Sequence, residues 1–258
     1  MCELFGLSSN REVDVSFTWR GFLRRGRLNY HGWGVAWYLN GSVGLVKEPK
    51  PALDSSIARL LLSGIRSRIV ISHVRLATHG KPSYVNTHPF VRKLRDREWI
   101  FAHNGDVSGV VMNPEFKLKH YSPVGDTDSE YAFCYIMDCL RELGESVNSV
   151  IEVCKAIWDI ASRIGDYGKF NFLLSDGTYL FAYMNRIGTL HYLLRHPPHK
   201  RYVELVDEDF KINLSELKGQ SEIAAIIATQ PLTRNENWIP MEVNTLYVFH
   251  KGDLILKS

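Results

Sequence analysis

The sequence predicts an α+β fold, and two observations carry the prediction. Extended runs rich in β-branched and aromatic residues occupy the beginning and the end of the chain. Two amphipathic segments of helical spacing stand side by side in the middle, not alternating with strands as in a repeated βαβ chain. No stretch rich in Pro, Gly or Ser divides the 258 residues, so one domain over residues 1–258 is expected.

The first strand is read over Cys2–Ser8. Gly32–Leu39 and Gly44–Lys47 read as a hairpin turning at Asn40-Gly41, a dipeptide that tolerates two successive positive φ angles. Leu53–Gly64 reads as a helix capped by Asp54 or Ser55, with Ile57, Leu60 and Leu61 on its buried face. The run Ile69–Val74 is a strand that passes into a polar loop, Thr78–Pro89. Another strand, Trp99–Ala102, ends at His103-Asn104-Gly105.

The first central helix carries Phe133, Ile136, Met137, Leu140 and Leu143. The second carries Val147, Val150, Cys154, Ile157, Ala161 and Ile164, and Gly144 and Gly165 mark the helix ends. Strands return at Phe170–Leu174 and Tyr179–Met184, around an Asp176-Gly177 turn, and at Thr189–Leu194. Glu222–Thr229 and Leu246–Lys257 follow, the latter with a turn at Lys251-Gly252-Asp253. Arg195–Lys218, rich in His, Pro and charge, reads as a surface excursion.

Lys and Arg number 31 and Asp and Glu 28, a net charge of +3 that argues for no nucleic-acid, acidic or membrane partner. Arg20, Arg24, Arg25 and Arg27 form a basic stretch, which a solvated helix face explains as well as nucleic acid does. Apolar runs such as Ile223–Ala228 fall well short of the ~18–20 residues of a membrane span. Glu3, Asn10, Arg11 and Glu12 interrupt any signal-peptide core, so a cytoplasmic location is expected. Cys2, Cys134, Cys139 and Cys154 form no C-x-x-C pair. His73, His79, His88 and His103 follow no zinc spacing, and neither metal nor organic cofactor is expected.

Four local features carry candidate chemistry. A cysteine directly after the initiator Met gains a free α-amine if Met1 is removed, and that amine can accept the thiol proton of Cys2. Arg75 emerges from a strand on the same face as His73, placed to grip a carboxylate or to pair with an acid of the chain itself. Asn104 and Gly105 either form a turn or present a side-chain amide and a backbone N–H to one oxyanion. Thr127-x-x-Glu130 is a capping box that places Asp128 in the first turn of a helix, where its ionised form is favoured.

Taken together and in order, Cys2, then R-x-A-T-H-G-x-P at Arg75–Pro82 with N-x-H-P at Asn86–Pro89, then H-N-G and T-D-S-E, resemble the class II glutamine amidotransferases. These are N-terminal-nucleophile hydrolases built as a four-layer αββα sandwich of two stacked antiparallel sheets. The resemblance implies that Cys2 is the nucleophile, forming a γ-glutamyl thioester, and that Asn104 and Gly105 make the oxyanion hole. It implies that Arg75 binds the substrate α-carboxylate, that Asp128 binds the α-amine, and that Thr78 and His79 complete the pocket.

Large members of the family carry a further domain that consumes the ammonia, and nothing of that kind is legible here. The chain is similar to the standalone branch, whose substrate is free glutamine or a larger γ-glutamyl compound. An ammonia-accepting partner protein is the implied associate. Trp33, Trp37 and Tyr38 either widen the pocket or fill the core. The rival to an enzyme is a catalytically idle glutamine-binding or regulatory subunit.

Overall fold

The computed structural model describes residues 2–77, 80–144, 149–185, 190–217, 219 and 221–258. Its elements run β1 (Glu3–Asp14), α1 (Ser16–Arg24), β2 (Gly32–Leu39), β3 (Ser42–Glu48), α2 (Ser56–Leu61), β4 (Arg66–Arg75), β5 (Phe90–Leu94) and β6 (Arg97–Asp106). Next come α3 (Asp128–Glu142), α4 (Val150–Gly165), β7 (Lys169–Ser175), β8 (Leu180–Met184), β9 (His191–Arg195), β10 (Val203–Glu204) and β11 (Lys211–Ile212). The chain closes with α5 (Leu214–Leu217), β12 (Ala224–Ala228), β13 (Ile239–Pro240), β14 (Thr245–His250) and β15 (Asp253–Lys257).

Two antiparallel sheets dominate. Sheet A is ordered β13-β9-β12-β1-β4-β2-β3 and sheet B β15-β14-β8-β7-β6-β5, with β10 and β11 as a small separate pair. The layering follows from strand alternation. Leu4, Ile71, Ile100, Ala102, Leu173 and Ala182 meet between the sheets. Their neighbours Phe5, Val35, Val70 and Val74 face outward onto Trp19 and Phe22 of α1. On the other side Phe101, Phe172 and Phe181 of sheet B pack against Phe133, Ile136 and Ile157 of α3 and α4. Helix, sheet, sheet, helix: the α+β sandwich is the observed architecture.

Several elements differ from expectation. Helix α1 is anticipated only as a solvated face for its arginines, because nine residues with arginines among the aromatics make a weak pattern. A helix that short has little stability alone, and complete burial of Trp19 and Phe22 supplies it. In the expected Leu53–Gly64 helix, Ser55 does cap, accepting from Ala58 N at 2.9 Å, but α2 is six residues long. Ala58 is its buried contact, while Ile57 and Leu60 are exposed.

The Asn40-Gly41 turn forms as read, with φ of 50° and 85°. The Asn104-Gly105 dipeptide does not turn; it lies inside β6, which extends to Asp106. Strand β5 follows the polar loop directly, at residues to which the sequence reading assigns no element. The Arg195–Lys218 segment is partly interior, since Val203, Leu205 and Leu214 are buried. Of the helix and strand readings, Val147 and Thr189 fall outside the described residues.

The basic stretch finds its counter-charges within the chain. Arg20 and Arg24 both grip Glu208 at 2.6 Å, and Arg25 reaches Asp207 at 2.6 Å. No helix among the described residues is long and apolar enough to cross a membrane.

Candidate active site

The register Glu3↔Val74 between β1 and β4 brings Cys2, at the head of β1, beside Arg75, the last residue of β4. The Leu76 N–H donates to Cys2 Sγ at 3.1 Å, and Sγ lies 3.2 Å from the Leu76 carbonyl, to which the thiol donates. Burial pushes the thiol pKa up, opposed by the Leu76 N–H and by the charge of Arg75. At rest the sulfur is therefore a neutral, half-buried thiol. Activating it requires a base and cations.

Asn104 comes from the facing sheet. Its position follows from alternation along β6, where Ile100 and Ala102 point between the sheets and Asn104 continues that row. The Asn104 amide Nδ2 donates to the Cys2 carbonyl at 2.5 Å, a bond between residues 102 positions apart. One N–H of that amide thus anchors the backbone of Cys2, leaving a second donor on the same nitrogen.

Gly105 sits where β6 and β7 come closest. A Cβ there would stand 1.8 Å from the Lys169 carbonyl oxygen and 2.6 Å from His103 Nε2. Glycine is required at this position for packing, whatever its N–H does. Gly34 on β2 is similar: a Cβ would stand 2.2 Å from the His88 carbonyl, closing the passage of the His88-Pro89 segment over sheet A.

Arg75 is buried and donates through Nη2 to the Gly80 carbonyl at 3.1 Å and through Nη1 to that of Lys81 at 3.4 Å. Burial lowers its pKa, while Cys2, Asp126 and Asp128 support its charge. The loop it touches is braced by Asn86, whose Nδ2 donates to Asp126 Oδ1 at 2.5 Å and whose Oδ1 accepts from Asp126 N at 3.0 Å. Thr78 and His79 lie outside the described residues.

Asp128 starts α3, and Thr127 caps that helix by accepting from Glu130 N at 3.2 Å. The Asp128 carboxylate is buried, with Oδ2 accepting from Val107 N at 2.7 Å and Oδ1 from Ser129 N at 2.8 Å. It therefore ties the helix N-terminus to the end of β6, the strand that carries Asn104. With Ser129 Oγ also donating to Oδ1 at 3.4 Å, three of its acceptor sites are used and one remains. Next to it, Ser129 Oγ and His103 Nδ1 lie 2.8 Å apart, and His103 Nε2 lies 3.1 Å from the Lys169 carbonyl.

Other residues of this region carry no site role in the sequence reading, which weighs His73 and His88 only as candidate metal ligands. His73 and His88 pack together as a tilted pair with ring centroids 4.3 Å apart and 38° between the ring planes. Both are buried, and among the described residues none of their four ring nitrogens has a hydrogen-bond partner. Desolvation, reinforced by neighbouring positive charge, lowers His73 to about 3 and His88 well below the usual histidine range, so both are neutral. Lys47 donates to the Thr87 carbonyl at 2.7 Å and stands over the rings of Tyr84 and Phe90. Burial brings its pKa to about 8. His31 Nδ1 accepts from Ala77 N at 2.9 Å, holding the chain just past Arg75.

Trp33 is fully buried against Trp19, while Tyr38 bonds to Glu98 and Ser175 at the far end of the sheets, so neither widens this site. Trp37 packs partly buried beside the outer core of sheet A. Among the described residues no group of three or more His, Cys, Asp and Glu is arranged to hold a metal.

A family model for glutamine amidotransferases class-II matches residues 1–258. An uncharacterized protein of Methanocaldococcus jannaschii is 43% identical over 100% of this chain and 72% of its own length. The YafJ protein of Escherichia coli, whose name marks it as a candidate glutamine amidotransferase, is 37% identical over 99% of this chain and 100% of its own. A crystal structure of a candidate glutamine amidotransferase from Pseudomonas aeruginosa superposes with a TM-score of 0.73 at 29% identity, over 99% of this chain and 100% of that one. The glutamine phosphoribosylpyrophosphate amidotransferase of B. subtilis shares the fold, with a TM-score of 0.64 at 15% identity over 100% of this chain and 49% of that one. The chain belongs to the class II glutamine amidotransferases.

Proposed function

We propose that this class II amidotransferase chain is a thiol amidohydrolase that releases ammonia or an amine from glutamine or a γ-glutamyl compound. The carrying observation is the convergence at Cys2. Leu76 N–H meets its sulfur, Asn104 meets its carbonyl, and Arg75 supports its charge from the neighbouring strand. Strand pairing brings residues 75 and 76 to Cys2, and a side-chain amide from the facing sheet meets the same residue.

In this reading Met1 is removed, and the freed α-amine of Cys2 takes the thiol proton. The sulfur attacks the γ-carbonyl carbon, and the C=O electron pair moves onto oxygen, facing the spare Asn104 N–H and the Gly105 N–H. The oxyanion collapses, the C–N bond breaks, and the amine leaves with the proton held by the α-amine. Water then attacks the thioester and returns the thiol and a free γ-carboxylate. Arg75 exchanges its loop carbonyls for the substrate α-carboxylate, and Asp128 offers its remaining acceptor site to the α-ammonium. Thr78 and His79 complete the pocket. The chain acts as one cytoplasmic domain, with an ammonia-accepting protein as its associate where the ammonia is used.

Intact-mass measurement before and after a diazo-ketone glutamine analogue tests this. One equivalent added to a chain lacking Met1, lost in Cys2→Ala together with hydrolysis, is the expected result; hydrolysis by Cys2→Ala would sink the reading. The hydrogen bonds that occupy the thiol favour a second reading, an idle glutamine-binding subunit. Saturable glutamine binding without turnover or labelling would select it.

A further inference from the structure

Lys169 stands at the site without belonging to any of its motifs. Along β7, Phe170, Phe172 and Leu174 point into the helical layer, while Leu173 points between the sheets. Alternation therefore turns Lys169 toward sheet A, on the same face as Asn104. The pairs Asn104↔Asn171 and Asp106↔Lys169 set it two residues beyond the oxyanion-hole asparagine. Strand β4 lies over β6, and β1 lies over both β6 and β7. Cys2 is thus flanked by Arg75 on the adjacent strand of its own sheet and by Lys169 on the facing sheet.

We propose that Lys169 is a positioning residue for the nucleophile, its ammonium stabilising the Cys2 thiolate from the facing sheet and so setting the pH above which Cys2 attacks. This rests on Cys2 being the nucleophile. Half-burial disfavours the ammonium, and the Cys2 sulfur favours it. Attraction between two charges is reciprocal, so the same contact favours the thiolate. Among the described residues, the other charged and titratable groups facing this spot are few. Arg75 of β4 acts in the same sense as Lys169, as does the Cys2 amino group while it is charged. Asp106 across the strand pair, and Asp126 and Asp128 before and at the head of α3, oppose them. His103 is kept neutral by burial, and Glu3, the next residue on β1, turns to the other face beside Arg25 and Asp207.

The test is the pH dependence of Cys2 alkylation by iodoacetamide, a neutral reagent, in the full chain, followed by intact mass with the adduct located by peptide mass. In K169M the midpoint rises by about one pH unit, slowing labelling on the acid side by roughly ten-fold. K169R restores the wild-type midpoint. D106N keeps an oxygen for the Ser108 N–H that now donates to Asp106 Oδ1 at 3.0 Å, and it moves the midpoint down. An unmoved midpoint in K169M, or a change that K169R does not reverse, overturns the assignment. Should K169M fail to fold, a raised midpoint in D106N or a displaced one in K169R overturns it equally. The readout needs no turnover, so a chain that shows these shifts yet hydrolyses no γ-glutamyl amide keeps Lys169 and loses the amidohydrolase reading.

Discussion

The two ends of the sandwich are built on opposite terms. Where β1 begins and β4 and β6 finish, Cys2, His73, Arg75, Asn104 and Asp128 crowd together, and bonds between distant parts of the chain consume the space. At the other end the Asn40-Gly41 turn, Arg97 and the Asp176–Thr178 turn frame a hollow of about 430 Å³ lined also by Glu12, Tyr38 and Arg68. That hollow holds no thiol, and its Arg97–Asp176 pair leaves the guanidinium half exposed. Open volume and the crowded polar cluster are separated here by the length of the strands. Desolvated polar groups in excess of what the fold needs mark the end proposed as the active site.

Substitutions can break that contrast. The largest expected effect is Cys2→Ala, a loss of glutamine hydrolysis of ~10³-fold or more, against a change within about two-fold for Arg97→Ala at the hollow. Comparable losses at both ends, in steady-state assays, would erase the distinction. Asn104→Ala comes next, at ~10²–10³ in kcat with KM little moved. A fall confined to KM would mean the amide binds ground-state substrate and no oxyanion. Arg75→Lys keeps the charge but loses the planar fork, and KM for glutamine is expected to rise on the order of ten-fold. If kcat falls instead, Arg75 serves the sulfur more than the carboxylate.

The smallest effect is read in stability. His73 titrates near 3 in the folded chain and near 6.5 when unfolded. Between those values the unfolded chain binds more protons, so the stabilisation is complete above about pH 6.5 and is lost as pH falls toward about 3. His88 acts in the same direction. Each contributes at most about 1.4 kcal/mol per pH unit to the slope. Denaturant midpoints measured across this range should therefore flatten in His73→Leu; an identical slope would place the acid sensitivity elsewhere.

What could be read from the sequence follows the same division. The strand–helix–helix–strand order and the Thr127 cap were legible, because each is a local pattern with one structural solution. The Asn-Gly pair at positions 40 and 41 was legible for the same reason. The identical pair at 104 and 105 was not, since pairing with β7 overrides the turn preference. Helix α1 depends on Trp19 and Phe22 finding a sheet, and Ala58 on which side of α2 is covered; both are tertiary facts. The motifs named Cys2, Arg75, Asn104 and Asp128, but Lys169 and the His73–His88 pair emerge once two sheets are laid over each other. Phe170 and Phe172 were visible as an alternating pair, and that alternation was the available clue to Lys169.

Strand β1 lies in the middle of sheet A, between β4 and β12. Leu4 N donates to Thr229 Oγ1 at 2.7 Å, and Thr229 N donates back to the Leu4 carbonyl, closing 225 positions of chain. Cys2 is synthesised long before β12, so the growing polypeptide exposes the Cys2 thiol before Thr229 can clamp its strand. Contacts of such separation also form slowly. The setting of Cys2 is thereby completed only once β12 has been made, and a chain released before that point carries the cysteine without the clamp.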